Sequence, residues 1–450
     1  MAVALAVWGS TREYADPDLN TIVAESYSDL FKAPEMEIAP AKFAEFRREI
    51  EERRKNEQAL LERTAQILNG RDATARAQLQ TLNLEASRDS EKMARQRSAL
   101  HCTILETERD LRVNTAMQKF GLSGSVEDDL AKVYLAERWP ARRTWIDRQV
   151  AAGNGRNRPH GDIDDIGIRR ADKGQKYDVR IGLEGIREME GAGLLPPDYP
   201  QGKVTDYVQA LASRIAANSD ARVPVRVTVL ATPDIDAFGL PGGFLFVTTG
   251  LIANAASEDQ LAGVLGHEIA HIAARHGERL TEGLSIRNVV SQGAEMAANV
   301  FTGGAAGTAK KYVTQYGFMG VGTALNLRLL GVTPDFEAEA DQLGLQYVWR
   351  AGYDPRGFLT FYDKLASQPG SLRAVSFLHT HPPYPDAMLV TFSELEYLPK
   401  QAAPKEDSPE FHEIQNLLAA RRESENASAA GAASAPDCAE LPPGKGSKVN

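Results

Sequence analysis

The sequence predicts a mostly helical α+β fold with a small sheet, preceded by a long, hairpin-like helical region. Residues 41–120 are dense in Glu, Arg, Lys, Ala and Leu, which favour helices. Residues 223–230 alternate apolar and polar side chains in the manner of a β-strand. Residues 261–277 place apolar side chains at helical spacing and contain no proline. We therefore expect a few strands among many helices.

Length and charge narrow the possible classes of protein. A chain of 450 residues exceeds what one core usually supports, so about two to three domains are expected. The net charge of −10 argues against a nucleic-acid partner, which favours a basic surface. Cys102 and Cys438 are the only cysteines. Two cysteines exclude a disulfide framework and a cysteine zinc site, but they allow one disulfide bond. No apolar run is long enough to predict a transmembrane helix.

The first third of the chain divides into an arm and a helical extension. Residues 1–40 contain scattered prolines and no sustained periodicity, so we expect a loose N-terminal arm. Its opening letters, MAVALAVWGS, fit the remnant of a signal peptide and fit a disordered terminus equally well. Residues 41–150 are predicted to be helical, with a first helix ending at Gly70, a second from about Thr74 to Phe120, and a break at Pro140.

The rest of the chain is expected to contain a linker, a principal domain and a tail. Residues 151–199 begin with a Gly-, Asn- and Asp-rich stretch and are interpreted as a linker with a lead-in helix. Residues 200–400 carry the regular patterns of a principal domain. Residues 401–450 are polar, with one short helix near 411–422, and are predicted to be a largely disordered tail.

A glycine-rich turn at residues 239–243 precedes a predicted strand, Phe244 to Thr249. This strand lies directly before the apolar helix, which suggests the edge of the sheet. Edge strands offer unpaired backbone groups, so an extended polypeptide can add to them. We therefore expect a polypeptide substrate to lie along Gly243 to Val247.

The apolar helix contains the motif HEIAH, with His267, Glu268 and His271. Positions i and i+4 lie on one face of a helix, so the two imidazoles can reach one point. Zinc prefers nitrogen ligands and, in catalytic sites, keeps one position open for water. Glu268 follows the first histidine and could take a proton from that water. The motif is typical of a metalloprotease helix, although two histidines on a helix face are often ordinary residues.

A second helix, residues 333–349, begins with a capping Thr333 and Pro334 in its first turn. Glu337 and Asp341 share one face of this helix, one turn apart, and Glu339 points elsewhere. One of the pair can bind a metal while the other accepts a hydrogen bond from a ligand histidine. Without the HEIAH motif, the same acids would be interpreted as a solvated face.

Two further stretches allow more than one interpretation. Residues 281–330 are rich in Ala and Gly and are expected to form amphipathic helices, which could be a lid, a membrane-surface contact or plain packing helices. The proline-rich loop 377–385 contains His379 and His381. A histidine there could stabilise an oxyanion, or it could be an ordinary loop residue.

Four stretches of the chain, over about residues 200–390, resemble the HtpX-like zinc metallopeptidases, family forty-eight of the metallopeptidases. The stretches, in the family's order, are AFGLPGGFLFVTTGLI, LAGVLGHEIAHIAARH, DFEAEADQLGLQYVWRAGYDP and THPP. The chain departs from the family where Thr333-Pro334 replace Ser-Arg, and where Asp386 and Met388 stand in place of an arginine. Those departures concern substrate handling more than the metal site.

The resemblance implies a gluzincin-type domain that binds one Zn²⁺ per chain. It implies that the metal ligands are His267, His271 and Glu337, and that Glu268 is the catalytic carboxylate. It also implies that Asp341 orients a ligand and that His381 is the active-site histidine of the THP loop. We expect an endopeptidase that acts on misfolded or envelope proteins, in the periplasm or otherwise exported.

Two other functions and another location compete with this expectation. A chaperone-like or scaffold protein could bind partners through the helices of residues 41–120 and have a structural or inactive zinc site. A prenyl-protein protease is disfavoured, since no multi-span membrane segment is present. The alternative location is the cytoplasm. The oligomeric state and the individual substrate are left open.

Overall fold

Helices make up most of the chain, and a three-stranded sheet accompanies them. The computed structural model describes residues 13–32, 38–84, 91–120, 124–154, 158–169, 175–191, 195–281, 333–367, 381 and 383–431. The expected mostly helical α+β class is therefore confirmed. The expectations for residues 1–12, for His379 and for most of 281–330 concern residues outside these ranges.

The helices, numbered in chain order, are α1 Pro17–Ala24, α2 Tyr27–Lys32, α3 Pro40–Leu84, α4 Glu91–Phe120, α5 Gly124–Ala151, α6 Gln175–Gly191, α7 Lys203–Ala216, α8 Thr249–Asn254, α9 Glu258–Ala273, α10 His276–Thr281, α11 Pro334–Arg350, α12 Arg356–Ala366, α13 Pro385–Tyr397 and α14 Pro409–Gly431. The strands are β1 Arg226–Leu230, β2 Ala237–Leu240 and β3 Phe244–Thr248. Within the described ranges, no helix is both long and apolar enough to span a membrane.

Helix α3 continues through Gly70, so the prediction that a helix ends there is wrong. One glycine costs a helix only about 1 kcal/mol, and good helix formers follow it with no proline.

Helices α3 and α4 nevertheless pair side by side, as the expected hairpin requires. The Asn114 amide donates to the Leu61 carbonyl oxygen at 3.0 Å, and Arg76 pairs with Glu108. Because later residues of α3 meet earlier residues of α4, these two helices run antiparallel.

Helix α5 likewise continues past Pro140, where a break was predicted. Proline removes one backbone donor from a helix, but the flanking turns of α5 are held by packing. Trp139 and Ile146, on either side of the proline, are almost completely buried. Tertiary contacts therefore outweigh the local preference.

The interpretation of residues 1–40 as a loose arm is wrong for residues 13–32. Leu19, Ile22 and Tyr27 are buried. The N-terminus of α2 is capped by the side chain of Asp363, which is far away in the sequence. Asp363 of α12 accepts hydrogen bonds from the Tyr27 amide at 2.6 Å and from the Ser28 amide at 3.2 Å. These bonds satisfy two of the amides that a helix start leaves unpaired. The segment thus belongs to the same compact unit as α12.

Residues 409–431, within the stretch 401–450 that was expected to be a largely disordered tail, form a helix. Helix α14 starts at Pro409, and its Phe411, Ile414 and Leu418 are buried. The Lys405 amide also donates to the Gly352 carbonyl oxygen at 2.8 Å. The chain to residue 418 is therefore part of the compact unit that contains α9.

The sheet has the strand order β1-β3-β2, with β1 parallel and β2 antiparallel to β3. The central strand is thus Phe244–Thr248, and the prediction that it forms the sheet edge is wrong. Its backbone is paired on both sides, so a polypeptide cannot add along Gly243 to Val247. Strand β2 pairs with β3 on the side opposite β1, so β2 is an outer strand of the described sheet.

Helices α9 and α11 cross at two glycines, Gly266 and Gly344. A Cβ atom on Gly344 would lie 2.8 Å from the backbone nitrogen of His267. A Cβ atom on Gly266 would lie 2.4 Å from Val348 Cγ2. Real side chains do not fit at such distances, so the absence of side chains is what lets the two backbones approach. All residues of α9 from Glu258 to Ile272 are buried.

We predict that Gly70→Ala raises the free energy of unfolding by roughly 0.5–1 kcal/mol, because alanine restricts the unfolded chain and suits a helix interior. An added Cβ atom meets nothing within 4 Å at this position. The matched control is Gly153→Ala, which has equally open space but a φ of +75°. That variant is expected to be destabilised. Urea unfolding followed by circular dichroism measures both, and destabilisation by Gly70→Ala would contradict a continuous α3.

We predict that Asp363→Ala lowers the free energy of unfolding by about 1–2 kcal/mol, because two amides at the start of α2 lose their acceptor. Asp147→Ala, at an exposed position of α5, is the control and should change it by less than about 0.5 kcal/mol. Thermal or urea unfolding gives both values. Equal effects of the two substitutions would show that residues 13–32 are not held through Asp363.

Candidate active site

Three side chains from two helices converge on one buried point. His267 and His271 lie one turn apart on α9, and their Nε2 atoms are 3.0 Å apart. Glu337 of α11 faces both of them. Its Oε2 atom lies 3.4 Å from His267 Nε2, and its Oε1 atom lies 3.2 Å from His271 Nε2. The helical spacing in each segment and the close crossing of α9 and α11 together produce this arrangement.

The donor set fits a zinc ion. One ligand atom each from His267, His271, Glu337 and His381 lies within 4.8 Å of the others, and all four residues are buried. Two nitrogens bound tetrahedrally at about 2.0–2.1 Å from one zinc would be roughly 3.3 Å apart, close to the observed spacings. In addition, Glu337 Oε1 is buried without a hydrogen-bond partner among the described residues. A buried carboxylate oxygen left in this way is suited to a cation.

Asp341 lies behind His267 rather than beside Glu337. Its Oδ1 atom is 2.9 Å from His267 Nδ1, and its Oδ2 atom accepts a hydrogen bond from Thr391 Oγ1 at 2.8 Å. A proton on Nδ1 that points to Asp341 leaves Nε2 with its lone pair free for a metal. Thr391 was not among the residues predicted from the sequence. It lies in the ordinary amphipathic helix α13, and no motif distinguishes it.

Glu268 and His381 face each other at the side of the cluster. Glu268 Oε1 lies 2.9 Å from His381 Nε2, and Glu268 Oε2 accepts a hydrogen bond from the Gly239 amide at 3.0 Å. Gly239 is part of β2, and a Cβ atom there would lie 2.8 Å from the Ile272 side chain and 3.1 Å from the Glu268 carbonyl oxygen, both in α9. The sheet and the metal-motif helix therefore hold this carboxylate in place together.

The electrostatics of the cluster keep its acids ionised. Burial alone would lower the pKa of His267, but the hydrogen bonds and charges of Asp341 and Glu337 raise that pKa well above its usual value. Burial alone would raise the pKa of Glu337, but the neighbouring histidines hold it well below its usual range. In the same way, His381 keeps the pKa of the buried Glu268 low, and Glu268 raises the pKa of His381. Ionised carboxylates can act as metal ligands and as bases.

His276 and Glu339 lie next to the cluster, on the far side of His271. His276 Nδ1 lies 2.8 Å from His271 Nδ1, and its Nε2 atom lies 3.1 Å from Glu339 Oε2. Burial lowers the pKa of His276 to about 4. Glu339 points away from the converging atoms, as the helical spacing predicted. His276 was not predicted as a site residue, although it stands in the same stretch as the motif, at the end of HIAARH.

The cavity beside the cluster runs from α9 towards the end of β2. Its walls include side chains of the cluster, residues of β2, α6 and α10, and residues of the turns after β2 and α9. Among them are Asp178, Gly239, Leu240, Pro241, Glu268, His271, Arg275, His276, Glu337 and His381. The six residues expected at the site from the sequence are therefore close together, and the outer strand β2 adjoins them.

Comparison with known proteins agrees with this geometry. Residues 199–387 match peptidase family M48. The chain is 29% identical over 252 residues to the mitochondrial metalloendopeptidase OMA1 of Schizosaccharomyces pombe, covering 55% of this chain and 68% of the relative. It is 28% identical over 221 residues to the β-barrel assembly-enhancing protease of Escherichia coli, covering 46% of this chain and 41% of the relative. It is 35% identical over 159 residues to OMA1 of Arabidopsis thaliana, covering 35% of this chain and 28% of the relative.

These matches cover the relatives unequally. The chain spans about two thirds of the fission-yeast relative and about two fifths of the bacterial one. The matched region includes α9, α11 and the sheet, and it confirms the resemblance that the four sequence stretches indicated. Residues 199–387 of the chain therefore form a peptidase family M48 domain.

Proposed function

We propose that this chain is a zinc-dependent endopeptidase that hydrolyses polypeptides. His267, His271 and Glu337 would hold the metal, and Glu268 would be the general base and then the general acid. The observation that carries the proposal is the convergence of two imidazole nitrogens and a carboxylate within 3.4 Å of one another, with Glu268 beside them. Nothing in a purely structural site requires the additional ionised carboxylate.

Zinc bound here would polarise the scissile carbonyl and lower the pKa of a water molecule to about 7. The carboxylate of Glu268 takes a proton from the attacking water and later delivers it to the leaving amine. The Gly239 amide holds one oxygen of Glu268, so the other oxygen is the one that exchanges the proton. His381, 2.9 Å from Glu268, is placed to donate a hydrogen bond to the oxyanion that forms at the carbonyl.

Asp341 would act through His267. Its carboxylate accepts the Nδ1 proton of His267 and keeps the ring in the tautomer that presents Nε2 to the metal. Thr391 in turn anchors the second oxygen of Asp341. Both residues would therefore orient a ligand without touching the substrate.

The polypeptide substrate would bind along β2 instead of β3. Strand β2 is the outer strand on this side of the described sheet, and its Gly239 contacts Glu268 directly. The cavity beside the cluster is lined by Gly239, Leu240 and Pro241 at the end of this strand. An extended chain on this edge would bring a backbone carbonyl next to the reacting groups.

The substrates would be misfolded or envelope proteins, in the periplasm or another compartment outside the cytoplasm. This part of the proposal is supported by the names of two relatives, one a mitochondrial metalloendopeptidase and one a protease that enhances β-barrel assembly. The chain spans only part of each relative, so their activities are a guide to substrate class and no more.

A scaffold protein remains the second candidate, supported by one observation. Helices α3 and α4 expose Ile67, Leu84 and Leu105, which a partner could cover. A scaffold would bind proteins without any chelator-sensitive cleavage. Digestion of casein with and without chelator therefore separates the two candidates.

We predict that Glu268→Gln keeps one zinc ion per chain and lowers the rate of casein cleavage by about 10²–10⁴-fold, because the amide cannot accept a proton. Metal analysis and a fluorescent casein assay measure the two effects. Glu410→Gln, at an exposed position of α14, is the control and should leave the rate unchanged. Wild-type activity in Glu268→Gln would remove the proposed mechanism.

We predict that Gly344→Ala weakens zinc binding and lowers the free energy of unfolding by about 1–3 kcal/mol, because the new methyl group forces α11 away from α9. Its Cβ atom would lie 2.8 Å from His267 N, and Glu337 would move with its helix. Competition with a chromogenic chelator gives the Kd for zinc, and urea unfolding gives the stability. Gly70→Ala is the matched control, since it adds the same methyl group in open space. Unchanged zinc affinity in Gly344→Ala would show that the crossing distance does not set the metal site.

A further inference from the structure

A further histidine, His276, lies directly behind the metal-facing His271. Its side chain is fully buried, and its Nδ1 atom is 2.8 Å from His271 Nδ1. On the far side of the ring, Nε2 is 3.1 Å from Glu339 Oε2. The same carboxylate oxygen accepts a hydrogen bond from Arg279 Nη1 at 2.7 Å. The four side chains form one continuous row from the metal cluster to the surface.

A break in the helix brings His276 into this position. Helix α9 ends at Ala273, and Arg275 adopts a left-handed φ of 57° before α10 begins at His276. On an uninterrupted helix, a residue five positions after His271 would be rotated by about 140° from it. The left-handed conformation costs a non-glycine residue about 1–2 kcal/mol. The bidentate pair of Arg275 with Asp178, at 2.7 and 2.8 Å, offsets part of that cost.

The ring of His276 is also fixed by stacking. It lies parallel to the ring of Phe336, with centroids 4.4 Å apart and an interplanar angle of 6°. The Arg279 guanidinium carbon lies 4.3 Å from the centroid of the same Phe336 ring. Residues of α10 and α11 together therefore fix the position of the His276 imidazole and restrict rotation of the ring.

Only one arrangement of protons satisfies all of these contacts if His271 Nε2 faces a metal. A neutral ligand histidine then carries its proton on Nδ1. That proton points at His276 Nδ1, which must be the acceptor. The proton of His276 is consequently on Nε2 and points at Glu339 Oε2. Arg279 balances the charge of this carboxylate.

We propose that His276, Glu339 and Arg279 form a positioning relay for the ligand His271, so that each metal histidine is oriented by an acid of α11. This inference rests on the zinc site proposed above. Asp341 orients His267 directly, whereas Glu339 orients His271 through a second imidazole. Three of the acids of α11, Glu337, Glu339 and Asp341, thus have separate roles. Glu337 faces the metal, and the other two support the two histidines.

The test compares two substitutions of His276 in the full chain. His276→Phe keeps a planar ring that can stack on Phe336 but cannot accept a proton from His271. His276→Gln keeps an amide oxygen as acceptor and an amide donor for Glu339. We expect zinc affinity, measured by competition with a chelator, to fall by about 10–100-fold in His276→Phe and by clearly less in His276→Gln.

The absorption bands of bound Co²⁺ provide a second readout, because they report the geometry of the ligand atoms. We expect these bands to change in His276→Phe and to return towards those of the wild type in His276→Gln. His412→Phe, at an exposed position of α14, is the control and should alter neither affinity nor spectrum. Glu339→Leu removes the far end of the relay and should weaken zinc binding while leaving His276 in place.

The outcomes separate this inference from the proposed function. Wild-type affinity and spectrum in His276→Phe would overturn the relay and leave the zinc site intact. If His276→Phe does not fold, wild-type zinc affinity in both His276→Gln and Glu339→Leu would overturn the relay instead. Failure of the unaltered chain to bind Zn²⁺ or Co²⁺ would overturn the proposed function itself.

Discussion

The close crossing of α9 and α11 is the contact on which the site depends. Gly266 and Gly344 leave no side chain between the two backbones, and His267 N would be only 2.8 Å from a Cβ atom on Gly344. At this separation, side chains as short as Asp341 and Glu337 reach imidazoles on the facing helix. A wider crossing, filled by larger residues, would leave the same acids and histidines on their helices without bringing them together.

The cluster is held together by opposite charges in a place from which water is largely excluded. Burial penalises every ionised group there, and each is compensated by a neighbour of opposite sign. Glu337 stays ionised because the histidines face it, and His267 has a raised pKa because two acids face it. The buried Oε1 atom of Glu268 lies 2.9 Å from His381 Nε2, and that of Glu337 lies 3.2 Å from His271 Nε2. A site of this kind is organised for a cation and for proton transfer, rather than for maximum stability.

Spacing and capping within one helix could be predicted from the sequence, whereas contacts between distant segments could not. The spacing of His267 and His271, the separation of Glu337 from Asp341, and the cap at Thr333 all follow from helical periodicity and end chemistry. The predicted breaks at Gly70 and Pro140 were wrong because neighbouring residues and packing outweighed one unfavourable residue. The edge position of Phe244–Thr248 was wrong because strand order depends on β1 and β2, which pair on either side of it.

The amino-acid sequence by itself determined the donor types and their order along each helix, because a helical period relates neighbours in the chain directly to one face. It also carried the resemblance of residues 199–387 to peptidase family M48, through four short stretches in the family's order. Only the tertiary structure decided which oxygen faces which nitrogen, that Thr391 anchors Asp341, and that the turn at Arg275 returns His276 to His271. Those contacts join segments far apart in the chain, and their distances are set by backbone packing that no local spacing encodes.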